Sequence, residues 1–161
     1  VSSTISLSNT NFAPSSETFN LQAGVSFVQL MHFDLSHIPS NATINDVQLF
    51  LTLDQANSVV SSQSSYSIYS QFVTDTAGLK TEIIAFIGSP DGNGQYMTRL
   101  VSRDYASPFQ RWLLGVTNHG IMIFAGNQTK NLDRYTFYKE TASDPNKRPR
   151  VVIKYTPRAA P

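Results

Sequence analysis

Residues 30–53, LMHFDLSHIPSNATINDVQLFLTL, decide the fold. In the second half of this stretch Val47, Leu49, Leu51 and Leu53 recur at every other position, with Gln48 and Thr52 between them. On an extended chain that alternation gathers the apolar side chains on one face and the polar ones on the other. A strand with one apolar side needs a second layer to cover it. Long helical periods are scarce elsewhere in the chain, so the cover is expected to be another sheet. Pro39 and the Ser-Asn pair after it interrupt regular pairing and make a link between two strands or two sheets.

Upstream, residues 25–34 carry Phe27, Met31 and Phe33 in one phase and Val28 and Leu30 in the other. Apolar residues on both faces predict one long central strand. Residues 1–7 and 18–21 predict two shorter strands, separated by a loop rich in turn formers. Downstream, DQANSVVSSQSS (residues 54–65) has little to bury and predicts a mobile polar loop.

Strands are predicted over 66–73, 82–87 and 95–101, with SPDGNG as the turn before the last of these. Residues 107–115 predict a short helix: Ser107 caps it, Pro108 suits its first position, Phe109, Trp112 and Leu113 share a face, and Gly115 closes it. Trp112 belongs to the core, since its partners on that face are apolar. Strands over 120–125, 133–139 and 150–155 complete the chain, the last with Val151, Ile153 and Tyr155 in alternation. The prediction is an all-β protein, an antiparallel β-sandwich (jelly roll) of about nine or ten strands with one short helix. Residues 1–161 form a single module, without an internal repeat.

A chain of 161 residues is one domain, expected to bury roughly 70% of the surface its unfolded form exposes. Twelve basic residues against eleven acidic ones give a net charge of +1, so no global field steers it toward nucleic acid or a membrane. Charged residues make up only 14% of the chain, while Ser, Thr, Asn and Gln abound, the palette of exported β-domains. The absence of cysteine excludes disulfides, thiolate zinc sites and a cysteine nucleophile. No stretch approaches the ~20 apolar residues of a membrane-spanning helix. Both ends read as cut from a longer protein or matured, which leaves secretion undecided by the N-terminus.

Catalysis needs convergent groups, and none is recognisable. His32, His37 and His119 lie neither at metal-ligand spacing nor beside a nucleophile motif. Asp34, at a strand end, suits a loop-capping role. Asp91, Asn93 and Gln95 place oxygen ligands at alternate positions as a calcium loop does, but the further acidic ligands are missing, and a Gly-rich hairpin turn accounts for the string. No cofactor is expected. Asn41-Ala-Thr43 and Asn127-Gln-Thr129 fit the N-glycosylation pattern.

Three stretches, FDLSHIPSNATINDVQLFL, FQRWLLGVTNHGIMI and YTFYKETASDPNKRPRVVIKY, together resemble the DNRLRE-type jelly-roll domains, which include the alginate-binding family of carbohydrate-binding modules. The matching positions are residues 33–36, Ile38, Pro39, residues 47–51, Trp112, Gly120, Ile121, residues 148–151 and Tyr155. Residues 54–96 lack the second tryptophan that many members carry. The resemblance implies a non-catalytic accessory module of a secreted or cell-surface protein. Its partners would be an anionic polysaccharide or cell-surface glycan and other modules of the same parent chain.

Sugar binding needs aromatic faces for the rings and charged or amide groups for hydroxyls and carboxylates. If Tyr135 and Phe137 face the core, Arg134 and Tyr138 emerge opposite, with Lys139 at the rim. By the same phase argument Tyr69 emerges if Ile68 is buried, and Arg99 emerges from its own strand. These five, Tyr69, Arg99, Arg134, Tyr138 and Lys139, are the candidate site for an acidic polysaccharide. The alternative is that they are ordinary solvated residues of a structural or adhesive spacer module that binds no sugar.

Overall fold

The computed structural model describes residues 2–5, 15–22, 27–60, 68–75, 80–87, 90–100, 108–126 and 133–158. One layer is a five-stranded antiparallel sheet in the order β1 (Ser2–Ile5), β3 (Val28–Met31), β8 (Ile121–Ala125), β5 (Ile68–Asp75) and β6 (Lys80–Ile87). The other joins β10 (Arg150–Thr156), β4 (Thr43–Thr52) and β7 (Gln95–Arg99) with a pair formed by β2 (Thr18–Gln22) and β9 (Arg134–Tyr138). A bridge between Leu53 and Phe137 links β9 to the end of β4. The protein is thus an all-β sandwich, with a single short helix, α1 (Pro108–Leu113), and one 3-10 turn (Pro145–Lys147) among the described residues.

The core is the seam between the layers. Val47, Leu49, Leu51 and Leu53 are buried on one side; Ile68, Phe72, Ile121, Ile123 and Ala125 are buried on the other. Ile44 joins them although it is out of the every-other-residue phase. Lys154 pairs with Asp46 and Tyr155 with Ile44, so Asn45 is an extra residue in β4, a bulge that turns Ile44 inward.

The helix closes one end of the seam. Phe109 and Trp112 are buried, their rings 5.0 Å apart, and Trp112 leans on Phe72 at 5.3 Å. Gln110 ties the helix to the start of β4, its Oε1 accepting from the Ile44 amide at 2.8 Å and its Nε2 donating to the Ala42 carbonyl at 3.3 Å. Gly115, at φ +96°, ends the helix as anticipated. The cap expected at Ser107 lies outside the described residues.

Two expectations are corrected. Of the long strand predicted over 25–34, residues 25 and 26 lie outside the described residues, and the rest is strand only over Val28–Met31, with Phe27 in an isolated bridge to Gln22. Turn chemistry takes the chain out of the ladder after Met31. The Asp34 carboxylate accepts from the Ser36 amide at 2.9 Å, which with the Ser36 side chain holds its pKa below the usual carboxylate value, and the Phe33 carbonyl accepts from Asn118 Nδ2 at 3.0 Å.

The second correction concerns the mobile loop predicted over 54–65: residues 54–59 are tied to β9 instead of hanging free, and residues 61–65 lie outside the described residues. Val59 and Arg134 exchange backbone hydrogen bonds at 2.8 and 2.9 Å, the Asp54 amide donates to the Thr136 carbonyl at 2.7 Å, and Ser58 Oγ accepts from the Thr136 amide at 3.0 Å. A largely polar segment is thus ordered mainly by backbone bonds, with Val60 alone of its described side chains packed against the core.

Gly120 is required where it stands. Its φ is +91°, and a Cβ there would lie 2.7 Å from the Met31 carbonyl oxygen and 3.0 Å from Leu30 Cδ1. Gly120→Ala therefore combines backbone strain with a clash against the adjacent strand. It should cost at least about 2 kcal/mol, a fall in Tm of roughly 5 °C or more by thermal unfolding. An unchanged Tm would show that β3 and the turn before β8 have room to separate.

Candidate functional site

Tyr69, Arg99, Arg134 and Tyr138 leave their strands in the anticipated phase and Lys139 follows the end of β9, yet the five do not converge. Tyr69 is on the outer face of the five-stranded sheet, its ring stacked on Phe124 at 5.7 Å and 21°. Register aligns Val28, Phe124 and Tyr69 in one row of that face and Leu30, Met122 and Gln71 in the next. Tyr69 thus has apolar and amide neighbours on the opposite layer from the four others.

Arg134, Tyr138 and Lys139 are on or beside β9 but are engaged locally. Arg134 donates from a terminal nitrogen to the Asn57 carbonyl at 3.1 Å, pinning the 54–59 segment. Tyr138 lies four residues, about 13 Å, further along, with the Lys147 ammonium 4.8 Å from its ring centroid. Lys139 donates to the Ser15 carbonyl at 3.5 Å.

Arg99 is in different company. The rungs of the β10-β4-β7 sheet are Arg150–Phe50–Met97, Val152–Gln48–Arg99 and, at the bulged end, Lys154–Asp46. These side chains point away from the seam, because Val47, Leu49 and Leu51 point into it. The outer face therefore carries Arg99, Arg150 and Lys154 against a single acid, Asp46, since neither RVVIKYT of β10 nor QYMTR of β7 contains an acidic residue.

The strand spacings set the geometry of the three cations. Arg150 and Lys154 flank Val152 on one strand, about 13 Å apart, and Arg99 stands two strands away at the level of Val152. Their Cα atoms form a near-equilateral triangle with sides of about 12–13 Å. The Arg150 guanidinium lies over the Phe50 ring at 4.6 Å, and a terminal nitrogen reaches Gln95 Oε1 at 3.5 Å, so this charge is held up from the sheet. Val152, between Arg150 and Lys154, is 41% exposed, and Met97, beside Arg99 on β7 at the level of Arg150, is 53% exposed, so the face has apolar surface next to its cations.

The same strip stands out in the chain as a whole. Residues 147–158, KRPRVVIKYTPR, hold five of the twelve basic residues and no acid, leaving seven basic against eleven acidic residues elsewhere. A net charge of +1 thus conceals a basic strand on an otherwise acidic domain. The signal that could have revealed Arg150 and Lys154 is the partner phase of Val151 and Ile153, which are half-buried.

The Asp91-Gly-Asn93-Gly-Gln95 string has a structural role, while Asn127-Gln-Thr129 lies outside the described residues. Asp91 Oδ1 accepts from the amides of Asn93 and Gln95 at 2.8 and 2.9 Å, so it closes the hairpin turn. Among the described residues no three His, Asp or Glu side chains converge as ligands for a metal ion. No described helix is long and apolar enough to cross a membrane. A half-open hollow of about 110 Å³ is lined by Phe19, Gln29, Met31, His32, Phe33, Glu140 and Pro149.

Comparison with known proteins adds no relative: no family model matches the chain, and no curated protein matches it.

Proposed function

We propose that this sandwich is a non-catalytic module that binds anionic polysaccharide on the outer face of the β10-β4-β7 sheet, in a secreted or cell-surface protein. The observation that carries the reading is the triangle of Arg99, Arg150 and Lys154 on one outer face, with exposed Val152 along one side and exposed Met97 next to Arg99. Three cations at separations of about 12–13 Å on an open sheet suit an extended polymer with repeating carboxylates better than a small ligand. Met97 and Val152 offer the apolar faces of sugar rings a surface to lie on, while the cations pair with the acids. The resemblance to alginate-binding modules points to the same ligand class.

Affinity electrophoresis tests the reading. Mobility should fall in gels containing sodium alginate and not in gels containing neutral dextran. The retardation should fade between about 0.05 M and about 0.5 M salt, as the screening length drops below the spacing of the charges. Equal mobility in all gels would refute polysaccharide binding and favour a spacer or docking module.

A further inference from the structure

Asp46 is an anomaly on the basic face. Its Oδ1 lies 3.5 Å from Arg99 Nε, and its Oδ2 accepts from Gln48 Nε2 at 3.0 Å, so both carboxylate oxygens are engaged. The side chain is only 16% exposed, against 68% for Arg99. In register it stands directly across from Lys154, beside the bulge at Asn45. A fixed carboxylate thus sits between two of the three cations, in the chemical form that a uronic acid would present to them.

We infer that Asp46 is a built-in competitor for the anion, which weakens the hold of this face on carboxylates and sets the charge a ligand must bring before it is retained. The inference rests on the polysaccharide reading above. Asp46 lowers the charge of the face from three positive groups to a balance of +2, and it already interacts with the guanidinium that an incoming acid would use. A ligand with a carboxylate on every sugar can still gain from Arg150 and Lys154. A ligand with sparse charge that reaches Arg99 alone meets the neighbouring negative group and gains little.

The bland alternative is that Asp46 positions Arg99, so that the pair acts together. The two roles predict opposite signs. As a competitor, Asp46→Asn, which keeps shape and the acceptor for Gln48, should raise affinity for sodium alginate about 2- to 5-fold, the range of one exposed ion pair. It should steepen the loss of binding with salt and leave neutral dextran unbound. Asp46→Ser, which removes the reach toward Arg99, should do the same, and comparison of Tm values confirms that both variants are folded.

Unchanged or reduced alginate affinity in both folded variants, with the parent protein still binding, would overturn the inference and leave the polysaccharide reading standing. Absence of alginate binding in the parent protein would overturn both.

Discussion

Phe137→Ala should remove about 3–5 kcal/mol of stability, a large share of the ~5–15 kcal/mol that holds a domain of this kind together. Phe137 is fully buried, stacks on Phe19 of β2 at 5.6 Å and makes a T-shaped pair with Tyr96 of β7 at 5.4 Å and 69°. It also forms the bridge to Leu53, so its side chain and backbone together join the β2-β9 pair to the β10-β4-β7 sheet. Truncation leaves a cavity bounded by two rings on different strands, which cannot close without separating the strands. Thermal unfolding should show a fall of roughly 10 °C or more.

The neighbouring Tyr138→Ala, whose side chain leaves from the outer face beside Lys147, should cost far less. Phe137→Leu should sit between them, at about 1–1.5 kcal/mol, because volume is largely kept and the ring contacts are lost. Equal losses at 137 and 138 would mean that the inner and outer faces of β9 are assigned wrongly.

The inner half of the fold was legible because burial repeats with the pleat. The run Val47, Leu49, Leu51 and Leu53 points where its alternation says, and Tyr135 and Phe137 do the same on β9. Alternation fails where the backbone changes step. The bulge at Asn45 brings Ile44 inward and leaves Tyr155 39% exposed, although Val151, Ile153 and Tyr155 read as one face. Apolar pattern is also silent on length: Phe27 and Phe33 extend the apparent strand, while the Asp34 turn ends the ladder after Met31.

The site was legible only residue by residue. Phase correctly sends Tyr69, Arg99, Arg134 and Tyr138 outward, but outward has two meanings in a sandwich, and the choice depends on sheet order. That order is set by pairings far apart in sequence, such as Val152 with Gln48 and Gln48 with Arg99. Arg134 shows a second limit. Its outward course meets the 54–59 segment, whose ordering by backbone bonds leaves no trace in hydrophobic periodicity.

Replacing Arg99, Arg150 and Lys154 together with alanine should abolish retardation by sodium alginate, with an affinity loss of up to roughly 100-fold, less by whatever the Asp46 pair already withholds from Arg99. Exposed ion pairs contribute up to ~1 kcal/mol each, and three of them sum to about 3 kcal/mol, which is two factors of ten in affinity. The same substitutions should lower Tm only modestly, since they remove the Arg99–Asp46 pair and the Arg150–Phe50 contact from the outer face and leave the core seam untouched. Arg134→Ala is the matched control, a loss of one cation at a residue engaged with the Asn57 carbonyl. It should lower Tm modestly and leave alginate retardation in place.

The combination separates a localised site from general attraction to a basic molecule. Net charge changes by three units in the triple variant and one in the control, so a nonspecific effect would scale with charge, about one third as large for Arg134→Ala. A site on the β10-β4-β7 face predicts full loss in the first and none in the second. Proportional losses would assign the binding to overall charge, and loss confined to Arg134→Ala would move the site to the β9 side of the layer.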